Sequence, residues 1–174
     1  NAFLRRSSSA PTAANETGIF TLTQGTDANA GKYTIQCGGK YVVAGTSLQH
    51  SAAAGVNVKL VDEAEATNIN KWWILAQDAS NANLIDIFPY QANIAAKTPA
   101  WNFASDHGGN ANQAVGVYDA SDGNSQWALL STTGGVISLN FGSGNGHVKT
   151  VERTVNLHST PRNHLSAQDN TRNH

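Results

Sequence analysis

Residues 72–87 begin with Trp72-Trp73-Ile74-Leu75 and end, after a polar stretch, with Leu84-Ile85-Asp86-Ile87. This order is typical of an aromatic strand, a short turn and an alternating strand. It occurs twice more, as Ile19-Phe20-Thr21-Leu22 with Tyr33-Thr34-Ile35 and as Gln126-Trp127-Ala128-Leu129 with Val136-Ile137-Ser138-Leu139. Because Ile35, Ile87 and Leu139 are separated by two equal steps, the chain is predicted to use one folding unit three times.

Composition narrows the functional classes. The 174 residues favour a single domain with a sizeable core, only 13% of them are charged, and the net charge is −1. Nucleic acid is therefore not expected as a partner, because binding it needs a basic patch. No apolar run approaches the roughly 20 residues of a membrane helix, so no membrane insertion is expected. The absence of methionine predicts either a removed leader or excision from a longer protein. A removed leader would be secretory, so a secreted, extracellular protein is expected.

The first 17 residues differ in composition from the rest. Their Ser/Pro-rich stretch offers little apolar area to bury, so residues 1–17 are predicted to be a flexible arm and residues 18–174 the folded domain. Asn15-Glu16-Thr17 has the acceptor pattern for N-linked sugar, which makes Asn15 a candidate glycosylation site.

Alternation of apolar and polar residues predicts strands throughout, and no window carries a sustained helical stripe. Clusters of Gly, Asn, Ser and Asp between these stretches are typical of turns. The chain is therefore predicted to be all-β. The alternating stretches are 32–36, 55–61, 84–88, 114–118, 136–141 and 154–158.

About four strands in each of three copies would form a threefold closed barrel with a hairpin cap. In the third copy, residues 136–141, 147–149 and 155–157 supply three strands, but no aromatic strand follows them. Residues 19–23 supply that strand from the other end, which predicts a permuted start. The alternative is that the missing strand comes from a second molecule, giving a homo-oligomer or a filament.

The repeated unit resembles the β-trefoil lectins of ricin B-chain type. The first copy carries the resemblance in Gly39-Lys40-Tyr41, Gly55-Val56-Asn57-Val58 and Asn70-Lys71-Trp72-Trp73, and the second in Val115-Gly116-Val117-Tyr118-Asp119 and Gly123-Asn124-Ser125-Gln126-Trp127. In that family a Gln lies two residues before the closing aromatic. Here Lys71 and Ser125 hold that position, with Gln126 displaced by one.

The resemblance implies sugar pockets, each with an early Asp, an aromatic at the end of the third strand and an Asn or Gln from the final turn. The second copy is the best equipped, with Tyr118, Asp119, Asn124 and Gln126. The first copy offers Asn70, with Leu60 and Val61 where the aromatic would be, and in the third His158 takes the aromatic position.

The early Asp of the family is missing from every copy. Val43, Ala95 and Lys149 lie near its place. A galactose-type specificity is therefore not implied, and a degenerate trefoil that binds no sugar in these pockets is the alternative.

The aromatic residues have two kinds of predicted role. Phe20, Trp73 and Trp127 recur at the period and are predicted to fill the barrel core. Trp72 faces the opposite side of its strand, either packed under a loop or serving as a platform for a sugar ring. The single cysteine, Cys37, is predicted to be a buried thiol.

Nothing in the sequence indicates catalysis or a cofactor. The six histidines are scattered without the spacing of a metal site, and no serine lies in a nucleophile elbow. The leading hypothesis is thus a non-catalytic carbohydrate-binding module with glycans as partners and weak, multivalent recognition. A structural subunit that assembles through strand exchange or the N-terminal arm is the main alternative, and a protease inhibitor is a third.

Overall fold

A computed structural model of the chain describes residues 2–7, 20–46, 48, 55–90, 99–103, 114–130, 152–159 and 163–169. These residues form short strands and 3₁₀ turns. The strands are β1 (Ala2–Ser7), β2 (Phe20–Gln24), β3 (Tyr33–Cys37), β4 (Lys40–Ala44), β5 (Val58–Val61), β6 (Trp73–Gln77), β7 (Ile85–Pro89), β8 (Pro99–Phe103), β9 (Val115–Asp119), β10 (Trp127–Leu130), β11 (Glu152–Ser159) and β12 (Asn163–Asp169). The 3₁₀ turns are Asp27–Asn29, Glu63–Glu65 and Gly123–Ser125.

Six strands close into a ring through antiparallel pairing. Three neighbouring pairs are long ladders, namely β2 with β3, β6 with β7, and β10 with β11. Tyr33 pairs with Trp73 and Ile85 with Trp127, which joins these ladders edge to edge. Residues 152–155 of β11 pair with β2 and complete the circle. A closed ring leaves no strand edge exposed within it.

Three further antiparallel pairs, β4 with β5, β8 with β9 and β12 with β1, lie between consecutive ring strands. A six-stranded ring with three such two-stranded pairs is a β-trefoil, so the all-β trefoil prediction is confirmed. Lobe one is β3 to β6 and lobe two is β7 to β10. Lobe three is β11 and β12 followed by β1 and β2. Because β2 (Phe20–Gln24) completes this last lobe, the predicted permuted start is confirmed.

The strand assignment within lobe three differs from the sequence prediction. Residues 155–157 were expected in its third strand, but they lie in β11, the first strand, because β11 pairs with both β10 and β2. Residues 136–141 and 147–149, the other strands expected in this copy, lie outside the described residues.

The N-terminal segment also contributes more than the sequence indicated. Ala2–Ser7, which the composition assigned to the flexible arm, pairs along its whole length with β12, and Ala2 also pairs with Leu60. Phe3 and Leu4 are fully buried, and this burial offsets the entropy lost when the segment is ordered. Residues 8–19 lie outside the described residues, so the arm boundary at residue 17 stays a prediction.

The core contains the residues that recur with the period. Phe20, Trp73 and Trp127 are completely buried, as predicted, and Cys37 is buried beside them. The indole Nε1 of Trp73 donates to the Val42 carbonyl at 2.8 Å, and that of Trp127 donates to the Trp101 carbonyl at 2.9 Å. Because the two bonds match, Val42 of lobe one and Trp101 of lobe two occupy equivalent positions.

Candidate functional site

Of the predicted sugar-binding residues of lobe two, Tyr118 and Asp119 end β9, and Asn124 lies in the tightly folded loop that follows. The Asp122 amide donates to the Asp119 carbonyl at 3.1 Å, and the Asp122 carboxylate caps the following 3₁₀ turn by accepting from the Asn124 amide at 3.1 Å. Buried Ser125 donates its hydroxyl to the Asp119 carbonyl at 2.8 Å and accepts from the Asn102 side chain at 2.9 Å. The loop is thereby fixed to the hairpin beneath it.

Three of the predicted residues lie in this region of lobe two. Tyr118 is 37% exposed at the end of β9, Asp119 follows it, and Asn124 is half-buried in the capped turn. An exposed aromatic ring, a carboxylate and an amide are the kinds of group that sugar recognition requires.

Gln126 does not belong to this group. Its side-chain Nε2 donates to Asp78 Oδ2 at 2.9 Å and to Ser80 Oγ at 2.9 Å, in the turn between β6 and β7. The amide of Gln126 therefore joins lobe two to lobe one.

Asn70 closes a turn of lobe one. Its side chain accepts from the Thr67 amide at 2.7 Å and donates to the Glu65 carbonyl at 3.2 Å. Since Val42 pairs with Leu60 and its equivalent Trp101 pairs with Val117, Val61 occupies the position of Tyr118. Lobe one thus has an aliphatic residue where lobe two has its exposed ring.

The placement of His158 corrects the sequence prediction. His158 lies in β11, where its backbone pairs with Ala128 and His164. It is therefore on a ring strand, whereas Tyr118 is on a hairpin strand, so the two are not equivalent. In lobe three the strand equivalent to β9 is β1. Asn15 lies outside the described residues, and its glycosylation stays a prediction.

A second polar group, which the sequence analysis did not identify, lies between lobes one and two. Asp78 and Asp86 are 5% and 6% exposed, and a side-chain hydrogen bond joins them. Asp78 Oδ2 also accepts from the Ser80 amide at 2.9 Å, the Ser80 hydroxyl at 2.8 Å and the Asn81 amide at 2.9 Å, besides Gln126. We call Asp78, Ser80, Asp86 and Gln126 the carboxyl cluster.

The two carboxyl groups have very different pKa values. Burial raises the pKa of Asp86 to about 8, and the hydrogen bond and negative charge of Asp78 add to this. Burial also acts to raise the pKa of Asp78, but hydrogen bonds from Asp86, Ser80 and Gln126 outweigh it and lower that pKa to about 2. Asp86 therefore holds a proton at neutral pH and donates it to the Asp78 carboxylate.

One oxygen of the cluster has no hydrogen-bond partner within the described residues. Asp86 Oδ1 is buried and unpaired, which is costly for a charged carboxylate and less so for a neutral carboxyl group. This cluster carries no sequence signal, because Asp86 lies between Ile85 and Ile87 in an alternating strand, where a polar residue normally faces solvent.

Trp72 is packed under a loop, as one of its two predicted roles required. It is only 8% exposed, and its Nε1 donates to Asn68 Oδ1 at 3.3 Å. Such burial leaves too little ring surface for a sugar to stack on.

Two other kinds of site are not found in the described part of the chain. Its His, Cys, Asp and Glu residues form no group of three that could hold a metal ion. None of its helical segments has the length and apolar character needed to cross a membrane.

Comparison with known proteins shows a structural similarity but no match in sequence. No protein-family model and no curated protein matches the sequence. A solved structure described as the BEL β-trefoil, in an apo crystal form, is similar with 21% sequence identity and a TM-score of 0.44. The match covers 62% of this chain and 64% of the BEL chain, slightly less than two thirds of that protein.

Proposed function

We propose that this protein is a non-catalytic carbohydrate-binding module of lectin type whose working pocket is in lobe two. The observation that carries the proposal is exposed Tyr118 at the end of β9, followed by Asp119 and by Asn124 in a turn that buried Ser125 fixes. In this pocket Tyr118 packs against the C–H face of a pyranose ring, and the two polar side chains bond adjacent hydroxyls.

Binding to a single pocket of this size is weak, so useful affinity requires several pockets on one surface or several chains on one glycan. Lobe one contributes little in this proposal, because Val61 replaces the aromatic ring and Asn70 is engaged within its own turn.

A glycan array followed by calorimetry on the best ligand tests the proposal. Tyr118→Ala is expected to weaken binding by about threefold to tenfold, the value of one aromatic contact. Asp119→Asn should also weaken binding, while the Asp119 backbone carbonyl continues to accept from the Ser125 hydroxyl. Tyr90→Ala is the matched control, since Tyr90 is 44% exposed and its ring centroid lies 3.5 Å from Lys32 Nζ.

Failure of every glycan to bind, or equal loss of binding in the Tyr90 and Tyr118 variants, would rule out the lobe-two pocket.

Assembly by strand exchange is the second candidate function. It is favoured by the fact that β1 comes from the opposite end of the chain to its partner β12. Light scattering over a wide concentration range tests it, and a monomer throughout would end it.

A further inference from the structure

We infer that the carboxyl cluster is a proton-dependent latch, in which one proton shared by Asp78 and Asp86 holds lobe two against lobe one through Gln126. The latch does not depend on sugar binding. It follows from the burial, contacts and charges of the cluster, and it would operate in a trefoil of any function.

The first step concerns charge. Asp78 and Asp86 are more than nine-tenths buried and in hydrogen-bond contact, and two carboxylates in such a position cannot both be ionised without strong repulsion. One proton removes the repulsion and at the same time supplies the donor for the bond between them.

The second step concerns the surroundings of the pair. The strands packed against β7 are β6, β8 and β10, and none of them contains a charged residue. Among the described residues, Asp78 is the only group whose charge acts on Asp86, and no lysine, arginine or histidine compensates for a second negative charge. A proton is therefore what neutralises the site.

The third step connects the proton to the lobes. Asp78 Oδ2 accepts four hydrogen bonds, three from its own turn and one from Gln126, which lies 48 residues away in the chain. Gln126 directly precedes Trp127, the core residue of lobe two. Loss of the shared proton leaves two charged carboxylates that need water, and hydration of this turn competes with the Gln126 amide for both of its acceptors.

The latch is thus closed in acidic and neutral solution and opens in alkaline solution. Opening frees the Gln126 side chain and admits water to the turn between β6 and β7, while the ring strands keep their pairing. The expected motion is local, since the remainder of the interface between the lobes is made by buried apolar residues.

The direct test follows the side-chain carboxyl carbons of aspartate by NMR in the intact protein between pH 3 and pH 10. An ordinary aspartate titrates near pH 3.8. We expect one aspartate to titrate near pH 8 instead, and one to stay ionised down to the acid end of the range. The Gln126 side-chain amide signals should shift with the same midpoint as the alkaline transition. Asp86→Asn should abolish both changes, because its amide donates to Asp78 without ever ionising.

Asp62→Asn is the matched control, because Asp62 is an exposed carboxylate paired with Lys40 at 2.8 Å and its loss should leave the alkaline transition in place. The inference is overturned if every aspartate titrates below pH 5 in the wild type. It is also overturned if Asp86 titrates near pH 8 and the Gln126 amide does not respond.

Discussion

The two junctions between lobes that the structure describes have the same geometry and opposite chemistry. In each, the residue before a core tryptophan covers the turn of the preceding ring hairpin. Trp72 covers the turn after β2, where the Gly25 amide bonds the Lys32 carbonyl at 2.7 Å. Gln126 covers the turn after β6, where the Asp78 amide bonds the Leu84 carbonyl at 3.0 Å. We call these the Trp72 junction and the Gln126 junction.

The comparison shows that one topology tolerates two ways of filling the same space. The Trp72 junction depends on volume, since an indole packs on a residue without a side chain. The Gln126 junction depends on hydrogen bonds and a proton, since an amide reaches a carboxyl pair. Apolar packing is insensitive to pH, whereas a buried carboxyl pair is not, so the two junctions should respond to different perturbations.

The largest expected effect is the pH dependence of stability contributed by the Gln126 junction. The folded pKa of Asp86 lies at about 8, above its ordinary value of 3.8, so its stabilising contribution is complete below pH 4 and is lost as pH rises to 8. Asp78 has a lowered pKa of about 2, so its contribution is present above pH 4 and is lost in strong acid. Wild type should lose up to about 1.4 kcal/mol of unfolding free energy per pH unit between pH 5 and pH 8 from this pair.

Urea unfolding of wild type and Asp86→Asn at several pH values measures this contribution as a difference. The variant should lack it and be the more stable protein at pH 8, with a smaller advantage at pH 5. Parallel stability curves for the two proteins would show that Asp86 is ionised in the folded state throughout.

Next in size is the loss of packing at the Trp72 junction. Trp72→Ala should lower the unfolding free energy by about 3 kcal/mol, because a nearly buried indole leaves a cavity that the turn cannot fill. The loss should be the same at pH 5 and pH 8, in contrast to the Asp86 variant. Ile69→Ala, which truncates a side chain 71% exposed in the turn that precedes Trp72, is the control and should change little.

These two junctions also show how far the sequence can be interpreted. The ring aromatics, the threefold period and the permuted start follow from the spacing of a few large apolar residues, which is a local property of the chain. The pairing of Gln126 with Asp78 connects residues 48 apart and depends on which turn the side chain meets after folding. No periodicity carries that information.

The errors in lobe three have a similar origin. Strand β1 carries a weak signal, because Phe3 and Leu4 are its only large apolar residues, and the segment after it is small and polar. With β1 overlooked, the strands of lobe three were counted from the wrong start, and His158 was placed on a hairpin strand. The positions of Tyr118, Asp119 and Asn124 at and after the end of β9 follow from the local sequence, because these residues are close together in the chain.

A glycine at the centre of the Trp72 junction gives a smaller, sharper test of its dependence on volume. A Cβ atom at Gly25 would lie 2.9 Å from Trp72 Cζ3 and in clear overlap with the Asn29 carbonyl. Gly25→Ala should therefore cost about 1 to 3 kcal/mol of unfolding free energy through displacement of the turn. Gly123→Ala, where a Cβ would meet no atom within 4 Å, is the control in lobe two. Equal stability of the two variants would show that the indole and turn adjust freely.

The smallest effect is expected from Gln126→Leu, which keeps the bulk of the side chain and removes its amide. Asp78 retains the three hydrogen bonds of its own turn, so the loss should be about 1 kcal/mol in urea unfolding at pH 6. The pKa of Asp78 should rise, because the Gln126 bond favours its ionised form. Gln77→Leu removes a comparable amide that bonds the Ala82 carbonyl at 3.3 Å in the same turn, and it should leave the pKa of Asp78 unchanged. If both variants shift that pKa equally, the Gln126 junction is held by its turn alone. It would then differ from the Trp72 junction only in the proton that Asp78 and Asp86 share.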